Sequence, residues 1–253
     1  MTVAAPNFRL DGKSALVTGA GRGIGLAIAQ AYAASGADVT LCARTRSEIE
    51  AATESLTAGG FRARALVADV TDVQAFAAHL ATLPPFDIFV NNAGTNRPKA
   101  LADVTEDDYE AVLGLNLRAA VFAAKAVTSR MVAGAKGGSV INMSSQMGHV
   151  GAANRTLYCA SKWAIEGFTK ALAIELGAER IRVNTICPTF IETPMTRSYF
   201  DDPQFLAEVI SKIKLGRLGT VDDVVGAAVF LASGASSLMT GSAIMLDGGW
   251  TAH

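Results

Sequence analysis

Short apolar segments recur along the chain, and within each one polar and apolar residues do not alternate. A strand with this composition is buried on both faces, which is typical of a parallel sheet covered by helices. Turn residues bound the segments, and longer amphipathic stretches separate them. Seven strands are predicted, at 14–17, 38–43, 63–68, 87–90, 138–143, 181–186 and 242–246.

The amphipathic stretches between these segments predict helices. They lie at 23–35, 47–57, 73–82, 106–133, 156–177 and 221–232. Repeated strand–helix units connect through right-handed crossovers and build a doubly wound α/β sheet. An eightfold barrel also alternates in this way, but seven strands and the first turn favour the open sheet.

The 253 residues fit one large α/β domain or two small ones. No change in composition indicates a linker, so a single domain over 1–253 is predicted. Only 188–218 lacks a clean pattern, and it contains Pro194 and Pro203. Long irregular insertions in compact domains are often lids, so we expect this segment to cover the substrate.

A glycine-rich turn, Thr-Gly-Ala-Gly-Arg-Gly-Ile-Gly at 18–25, follows the first strand and opens the first helix. Glycines let the backbone turn sharply and let a pyrophosphate approach the positive N-terminus of the helix. In this position the turn favours dinucleotide binding. A purely structural tight turn is the alternative.

The tip of the second strand carries no acidic residue. In NAD-binding sites an acid usually binds the ribose 2′-hydroxyl about 20 residues after the glycine turn. Here Ala43 is followed by Arg44, and Arg22 lies within the turn itself. Arginines can pair with a 2′-phosphate, so NADP is favoured and NAD stays open. The alternative is that both arginines are solvated surface charges.

Two more strand tips carry polar or small residues. Asp69 and Val70 follow the third strand, where Asp69 would accept a hydrogen bond from the adenine amine or cap the next helix. Asn92, Ala93 and Gly94 follow the fourth strand. They would let the backbone approach a flat ligand, although turn chemistry alone also explains them.

A hydroxyl, a phenol and an ammonium follow one another later in the chain. Tyr158 and Lys162 are four residues apart in a predicted helix and so share one face, and Ser145 precedes them. The ammonium can then alter the acidity of the phenol. An exposed, solvated pair is the alternative.

Together these motifs resemble the short-chain dehydrogenase/reductase family, and the similarity spans nearly the whole chain. The motifs that carry it are 18–25, 91–94, Asn116, Ser145, Tyr158 with Lys162, and 246–249. The resemblance implies a seven-stranded Rossmann sheet and the catalytic residues Asn116, Ser145, Tyr158 and Lys162. The cofactor-binding residues that we predict are Gly19, Gly21, Arg22, Gly23, Ile24, Gly25, Arg44, Asp69, Val70, Asn92, Ala93, Gly94, Tyr158, Lys162, Pro188, Ile191 and Thr193.

The implied chemistry is hydride transfer between a nicotinamide cofactor and an alcohol or ketone. A tyrosine pKa of ~10 is too high for ready proton exchange at neutral pH, and a nearby ammonium would lower it against the opposing effect of burial. Tyr158 would then be general acid or base, and Ser145 would polarise the substrate oxygen. Lys162 would also bind the nicotinamide ribose, and Asn116 would help hold a water in the proton path.

The substrate is expected to be a small polar molecule, such as a sugar, polyol or hydroxy acid, because the candidate pocket positions are mostly polar. The family commonly has Pro-Gly where this chain has Pro188-Thr189, which weakens any substrate assignment by analogy. The predicted substrate-binding residues are Asn96, Gln146, Asn154 and Thr189. Further candidates are Arg97, His149 and Arg155 in the pocket and Met195, Tyr199 and Phe200 in the lid. Several of these would instead face solvent.

The formal net charge of −1 favours neither nucleic acid nor an anionic membrane as a partner. No apolar run reaches the ~20 residues that span a bilayer, so a soluble cytoplasmic protein is expected. The three cysteines lack a CxxC pair and the three histidines are scattered, which predicts reduced thiols and no metal site.

The family commonly forms homotetramers, and here the interfaces would be the helices 106–133 and 156–177 and the last strand. Two alternative functions stay open. One is a 3-oxoacyl-[acyl-carrier-protein] reductase, which should carry a basic patch for its acidic carrier. The other is a cofactor-sensing regulator without catalysis, although the intact serine, tyrosine and lysine disfavour it.

Overall fold

The computed structural model describes residues 5–252, and within this range all the strands form one parallel sheet. Its strands run in the order β3-β2-β1-β4-β5-β6-β7. Their bounds are β1 Ser14–Thr18, β2 Asp38–Ala43, β3 Ala63–Val67, β4 Ile88–Asn91, β5 Gly138–Met143, β6 Ile181–Pro188 and β7 Ala243–Leu246. The predicted doubly wound sheet of seven strands is confirmed.

Helices cover both faces of the sheet. They are α1 Gly23–Ala34, α2 Arg46–Ala58, α3 Val73–Ala81, α4 Glu106–Leu113, α5 Ala120–Gly134, α6 Thr156–Leu176, α7 Pro203–Lys212 and α8 Asp222–Ala232. On one face α1, α2 and α8 form a core around Ile28, Tyr32 and Leu231. On the other, α3, α5 and α6 pack around Phe76 and Phe89. The carboxyl ends of the strands are left free to form a cleft.

The strand order reverses between β1 and β4, where a doubly wound sheet opens a crevice for ligands. The ends of the two strands are tied together by Thr18. Its hydroxyl oxygen accepts hydrogen bonds from the backbone N–H groups of Asn92 at 3.0 Å and Ala93 at 3.2 Å. This tie fixes the floor of the crevice.

The long helix predicted at 106–133 is interrupted. Between α4 and α5 the chain forms a π-helical segment, Gly114–Ala119, which contains Asn116. Single π-turns inside α-helices occur frequently at functional sites. Taken together, the helical run Glu106–Gly134 is also long and apolar enough to cross a membrane by length and composition alone, a property that core helices share. Buried residues of α5 such as Val127 and Met131 pack in the core.

The segment 188–218 contains more structure than its sequence pattern predicted. A 3₁₀ turn, Arg197–Asp201, precedes the unpredicted helix α7. Asp202 caps α7, since its Oδ1 accepts a hydrogen bond from the backbone N–H of Gln204 at 2.9 Å, and Pro203 is the first helical residue. The expectation of an irregular segment is therefore wrong over α7, and this capping signal was readable in the sequence.

Candidate active site

A cleft of about 450 Å³ lies at the carboxyl ends of the strands, across the point where the strand order reverses. All the predicted cofactor-binding residues lie in its wall, among them Gly19 and Thr193. Ser145, Tyr158 and Lys162 line it as well. The structure therefore brings the glycine turn and the predicted catalytic residues to one cavity.

The glycine turn is compact because side chains are missing at key positions. A β-carbon at Gly25 would lie 2.4 Å from the carbonyl oxygen of Gly19 and 2.5 Å from Nδ2 of Asn92. Gly19 has a φ of +64°, a conformation that L-residues rarely adopt. The backbone of the turn thus comes close to the cleft at the N-terminus of α1, which suits a pyrophosphate.

The end of the cleft beside β2 carries both positive and negative charge. Arg22 and Arg44 line it, as does Glu48 on α2, which the sequence argument did not consider. Glu48 Oε1 lies 3.4 Å from Nη1 of Arg22. A β-carbon at Gly21 would lie 3.0 Å from Glu48 Oε2, so this carboxylate lies directly against the glycine turn. An acid is thus present after all, but it comes from the next helix instead of the strand tip.

Asp69 lies in the wall of the cleft, and its Oδ1 accepts hydrogen bonds from the backbone N–H of Thr71 at 2.9 Å and from its hydroxyl at 2.7 Å. It is not the N-cap of α3. That role belongs to Asp72, whose side chain accepts a hydrogen bond from the backbone N–H of Ala75. The capping alternative for Asp69 is therefore wrong.

Tyr158 and Lys162 lie on α6 with their side chains together. Nζ of Lys162 lies 5.5 Å from the centroid of the Tyr158 ring and donates a hydrogen bond to the carbonyl oxygen of Met143 at 2.7 Å. Ser145 Oγ accepts a hydrogen bond from the backbone N–H of Met147 at 3.1 Å. Strand β5 thus supplies the carbonyl that orients the ammonium, and Ser145 lies two residues after the end of the strand.

Burial is the largest effect on the pKa values of Tyr158 and Lys162. It raises the pKa of Tyr158 to about 12, while the Ser145 hydroxyl and the charge of Arg155 act in the opposite direction. It lowers the pKa of Lys162 to about 8, against the opposing effect of Cys187 and Glu166. The expectation that the ammonium lowers the tyrosine pKa is therefore wrong for the ligand-free protein, because desolvation of the phenolate is the larger effect.

Asn116 is buried beside the cleft and does not line it. Its Oδ1 accepts a hydrogen bond from the backbone N–H of Thr95 at 2.8 Å, and its Nδ2 donates to the carbonyl oxygen of Thr95 at 2.8 Å and to Oγ of Ser161 at 3.1 Å. The amide therefore clamps the loop after β4 to α6. The hydrogen-bonding groups of Asn116 are thus paired within the fold, at a position that shapes the cleft, and its catalytic role stays a prediction.

The four predicted substrate-binding residues do not all lie at the cleft. Thr189 lies in the wall of the cleft, and the other three do not line it. Asn96 is partly buried and Asn154 is exposed, while Gln146 is fully buried. Within 5–252, neither the side-chain oxygen nor the nitrogen of Gln146 has a hydrogen-bond partner.

Of the further candidates, only Met195 lines the cleft; Arg97, His149, Arg155, Tyr199 and Phe200 lie outside it. Arg155 is buried with its guanidinium 5.0 Å from the centroid of the Tyr199 ring. Ser144, next to Ser145, does line the cleft although the sequence argument passed over it.

Comparison with known proteins agrees with this geometry. Residues 19–251 match the family model described as enoyl-(acyl carrier protein) reductase. The L-xylulose reductase of Bos taurus is 37% identical, with 97% of this chain and 99% of that protein covered. The 3-oxoacyl-[acyl-carrier-protein] reductase of Chlamydia pneumoniae is 40% identical, with 97% and 99% covered. A gluconate 5-dehydrogenase of Burkholderia cenocepacia, solved with NADP and tartrate, is 34% identical with a TM-score of 0.94, and 98% of each chain is covered.

The fold, the cleft and these similarities define a class. The chain belongs to the short-chain dehydrogenase/reductase family. It is an oxidoreductase that uses a nicotinamide cofactor.

Proposed function

We propose that this protein interconverts a secondary alcohol and a ketone on a small polyhydroxylated substrate, with NADP(H) as the preferred cofactor. One observation carries the proposal. The cleft that contains the glycine turn also contains Ser145, Tyr158, Lys162 and polar atoms that have no hydrogen-bond partner among residues 5–252. A ketone with neighbouring hydroxyl groups would satisfy such atoms.

The cofactor would lie along the cleft with its pyrophosphate against the turn at 19–25. Arg22 and Arg44 support a preference for NADP, because guanidinium groups pair well with a 2′-phosphate. Glu48 opposes it by holding Arg22, at an N–O distance of 3.4 Å. The preference then depends on the two arginines outweighing one carboxylate. When bound, the cofactor supplies the hydride.

Tyr158 would donate a proton to the substrate oxygen in ketone reduction. With a pKa near 12 in the ligand-free protein, its phenol is protonated at neutral pH and ready to act as an acid. Ser145 would hold the same oxygen by a hydrogen bond. Lys162, with a pKa of about 8, is mostly charged at pH 7 and would stabilise the phenolate that remains.

The polar substrate is supported by two hydroxyl groups in the wall of the cleft. Oγ of Ser144 and Oγ1 of Thr189 are buried and have no hydrogen-bond partner within 5–252. An unpaired buried polar atom costs about 1–3 kcal/mol, a cost that a substrate hydroxyl would remove. Thr189 would therefore be a substrate contact at the position where the family commonly has glycine.

A 3-oxoacyl-[acyl-carrier-protein] reductase is the second candidate function, and the 40% identity to the Chlamydia relative is the observation behind it. An acidic carrier protein needs a basic surface beside the cleft. The segment 188–218 has four basic residues, but it also has four acidic ones, so its formal charge is balanced. Lys212 is paired with Glu208 and Arg217 with Asp223. We therefore rank this function second.

Three further proposals concern the lid, the assembly and the location of the enzyme. We propose that 188–218 is the substrate lid of a single-domain enzyme, because Pro194, Met195 and Thr196 line the cleft.

A homotetramer is proposed because the long helices carry exposed apolar side chains, among them Trp163 at 54% and Ile174 at 84%. Ile165, by contrast, is a core residue. A cytoplasmic location is proposed from the family and the unpaired cysteines.

A substrate panel tests the proposal. Ketoses, polyols, hydroxy acids, an apolar cyclic ketone and a 3-oxoacyl thioester would each be assayed with NAD(H) and NADP(H) in both directions. We expect turnover of polyhydroxylated compounds with NADP(H), and little with the apolar ketone. Turnover of the apolar ketone or thioester alone would contradict the assignment.

A further inference from the structure

A second group of reactive side chains lies behind the catalytic residues, outside the cleft. It consists of His149, which follows the turn after β5, Glu166 on α6 and Cys187 on β6. The cluster thus joins three different elements. Glu166 and Cys187 are buried, and the His149 side chain keeps 33% of its surface exposed. None of the three is used in the proposed reaction.

The distances among these groups are those of a coordination shell. Nε2 of His149 lies 3.5 Å from Oε1 of Glu166 and 3.5 Å from Sγ of Cys187, and Sγ lies 3.3 Å from Oε1. In a tetrahedral zinc site with bonds of about 2.0–2.3 Å, neighbouring ligand atoms are about 3.3–3.7 Å apart. The three atoms therefore already stand at the corners of one face of such a tetrahedron.

We propose that His149, Glu166 and Cys187 form a binding site for a zinc-like transition-metal ion. An imidazole, a carboxylate and a thiolate are the ligands that Zn²⁺ takes in proteins, whereas Mg²⁺ and Ca²⁺ prefer oxygen alone. Binding displaces the thiol proton of Cys187 to solvent as the Zn–S bond forms, and it needs no redox partner. The sequence argument missed the site because its ligands are separated along the chain and meet only in the fold.

The surroundings of the cluster support a bound ion. Oγ1 of Thr185 donates a hydrogen bond to Oε2 of Glu166 at 3.1 Å, which orients the carboxylate so that Oε1 faces the other two groups. Gly148, next to His149, lets the turn lie close to this carboxylate, since a β-carbon there would lie 3.2 Å from Cγ of Glu166.

A metal ion here would fasten the turn Gln146–Gly148 to the core. That turn follows Ser145 directly and carries the fully buried Gln146. His149 is the exposed member, so an ion would reach the site from its side. Occupancy would stabilise the folded protein, because unfolding separates the three ligands.

Zinc binding to the whole, reduced, chelator-treated protein tests the proposal, with a chromogenic chelator as competitor. One equivalent of Zn²⁺ should bind per chain, and Co²⁺ in its place should show a thiolate-to-metal charge-transfer band. Cys187→Ser and His149→Ala should each weaken zinc binding by about 100-fold or more. His149 lies in a partly exposed loop, so its variant should fold. Cys159→Ser leaves the thiol count equal to that of Cys187→Ser and should bind zinc like the wild type.

Thermal unfolding supplies a second readout. Zn²⁺ should raise the unfolding temperature of the wild type and of Cys159→Ser, and leave that of His149→Ala unchanged. Failure of the wild type to bind at about 10 µM free Zn²⁺, where a micromolar site is mostly filled, would overturn the proposal. Equal zinc affinity in the wild type and in both ligand variants would overturn it as well. Neither result depends on which substrate the enzyme uses.

Discussion

Oε1 of Glu48 lies 3.4 Å from Nη1 of Arg22, at the end of the cleft where the adenosine ribose of the cofactor would lie. The carboxylate occupies Arg22 and repels a 2′-phosphate placed near it. Glu48→Gln should therefore strengthen NADP binding by about 5-fold, as expected for one partly exposed ion pair, and leave NAD binding nearly unchanged.

Fluorescence titration of both cofactors would measure this change. Glu50→Gln is the matched control, because Glu50 pairs with Arg46 on the same helix and does not line the cleft. Unchanged NADP affinity in Glu48→Gln would show that Glu48 does not limit the cofactor preference.

Lys162 should make stability depend on pH in a defined direction. Burial lowers its pKa to about 8 from a usual value of 10.5, so between these values the unfolded chain binds more protons than the folded one. Stability contributed by this residue then rises as the pH goes from 8 to 10.5. Below pH 8 the full cost of burying the charge is present.

The comparison is between the wild type and Lys162→Met, which keeps the volume and removes the charge. The unfolding free energy of the wild type relative to the variant should rise with pH across this window, by up to about 3 kcal/mol. Urea unfolding at several pH values would measure it. A difference that stays flat or falls would contradict the account of Lys162.

Asn116 should act by holding the loop after β4. Asn116→Ala leaves the N–H and carbonyl groups of Thr95 without their partner, at a cost of about 1–3 kcal/mol in stability. Because Thr95 lines the cleft, kcat should fall as well, by about 10-fold or more.

Asn184→Ala is the control for Asn116→Ala. Asn184 also clamps backbone with both ends of its amide, accepting from the N–H of Ser242 and donating to the carbonyl oxygen of Met239. Neither of these residues lines the cleft. Its loss should cost similar stability and leave kcat within about 2-fold, the size of an ordinary remote effect. An equal loss of kcat in both variants would contradict a specific positioning role for Asn116.

Exposed apolar residues of α6 should matter for assembly. Trp163→Glu places a charge where the proposed tetramer buries an indole, so the variant should dissociate. Phe61→Glu, at an exposed apolar position after α2 and away from the proposed interfaces, should not. Light scattering would give the masses. A wild type that is monomeric at about 26 kDa, the mass of one chain, would contradict the tetramer.

Patterns that depend on neighbouring residues were readable from the sequence. The parallel sheet follows from strands without polar alternation, and the glycine turn follows from spacing at the start of α1. Every predicted cofactor contact lies in one cleft because parallel strands bring their carboxyl ends to one edge. The cap of α7 at Asp202 was readable too, although the prolines obscured it.

Features that depend on distant residues were not readable. The π-helical segment around Asn116 forms where α4 and α5 meet the loop after β4, and no local sequence pattern predicts it. Glu48 lies over the glycine turn only because α2 folds back beside it. The tyrosine pKa depends on how deeply the phenol is buried, which spacing alone does not determine.

Tyr158 is expected to transfer the proton in reduction of a polyhydroxylated ketone. The most direct test of this role is the rate of NADPH oxidation with the best ketose of the panel, compared between the wild type, Tyr158→Phe and Tyr199→Phe. Tyr158→Phe should lower kcat by about 10²–10⁴-fold and leave NADPH affinity unchanged, whereas Tyr199→Phe should stay close to the wild type. A Tyr158→Phe enzyme that retains wild-type kcat would contradict the account.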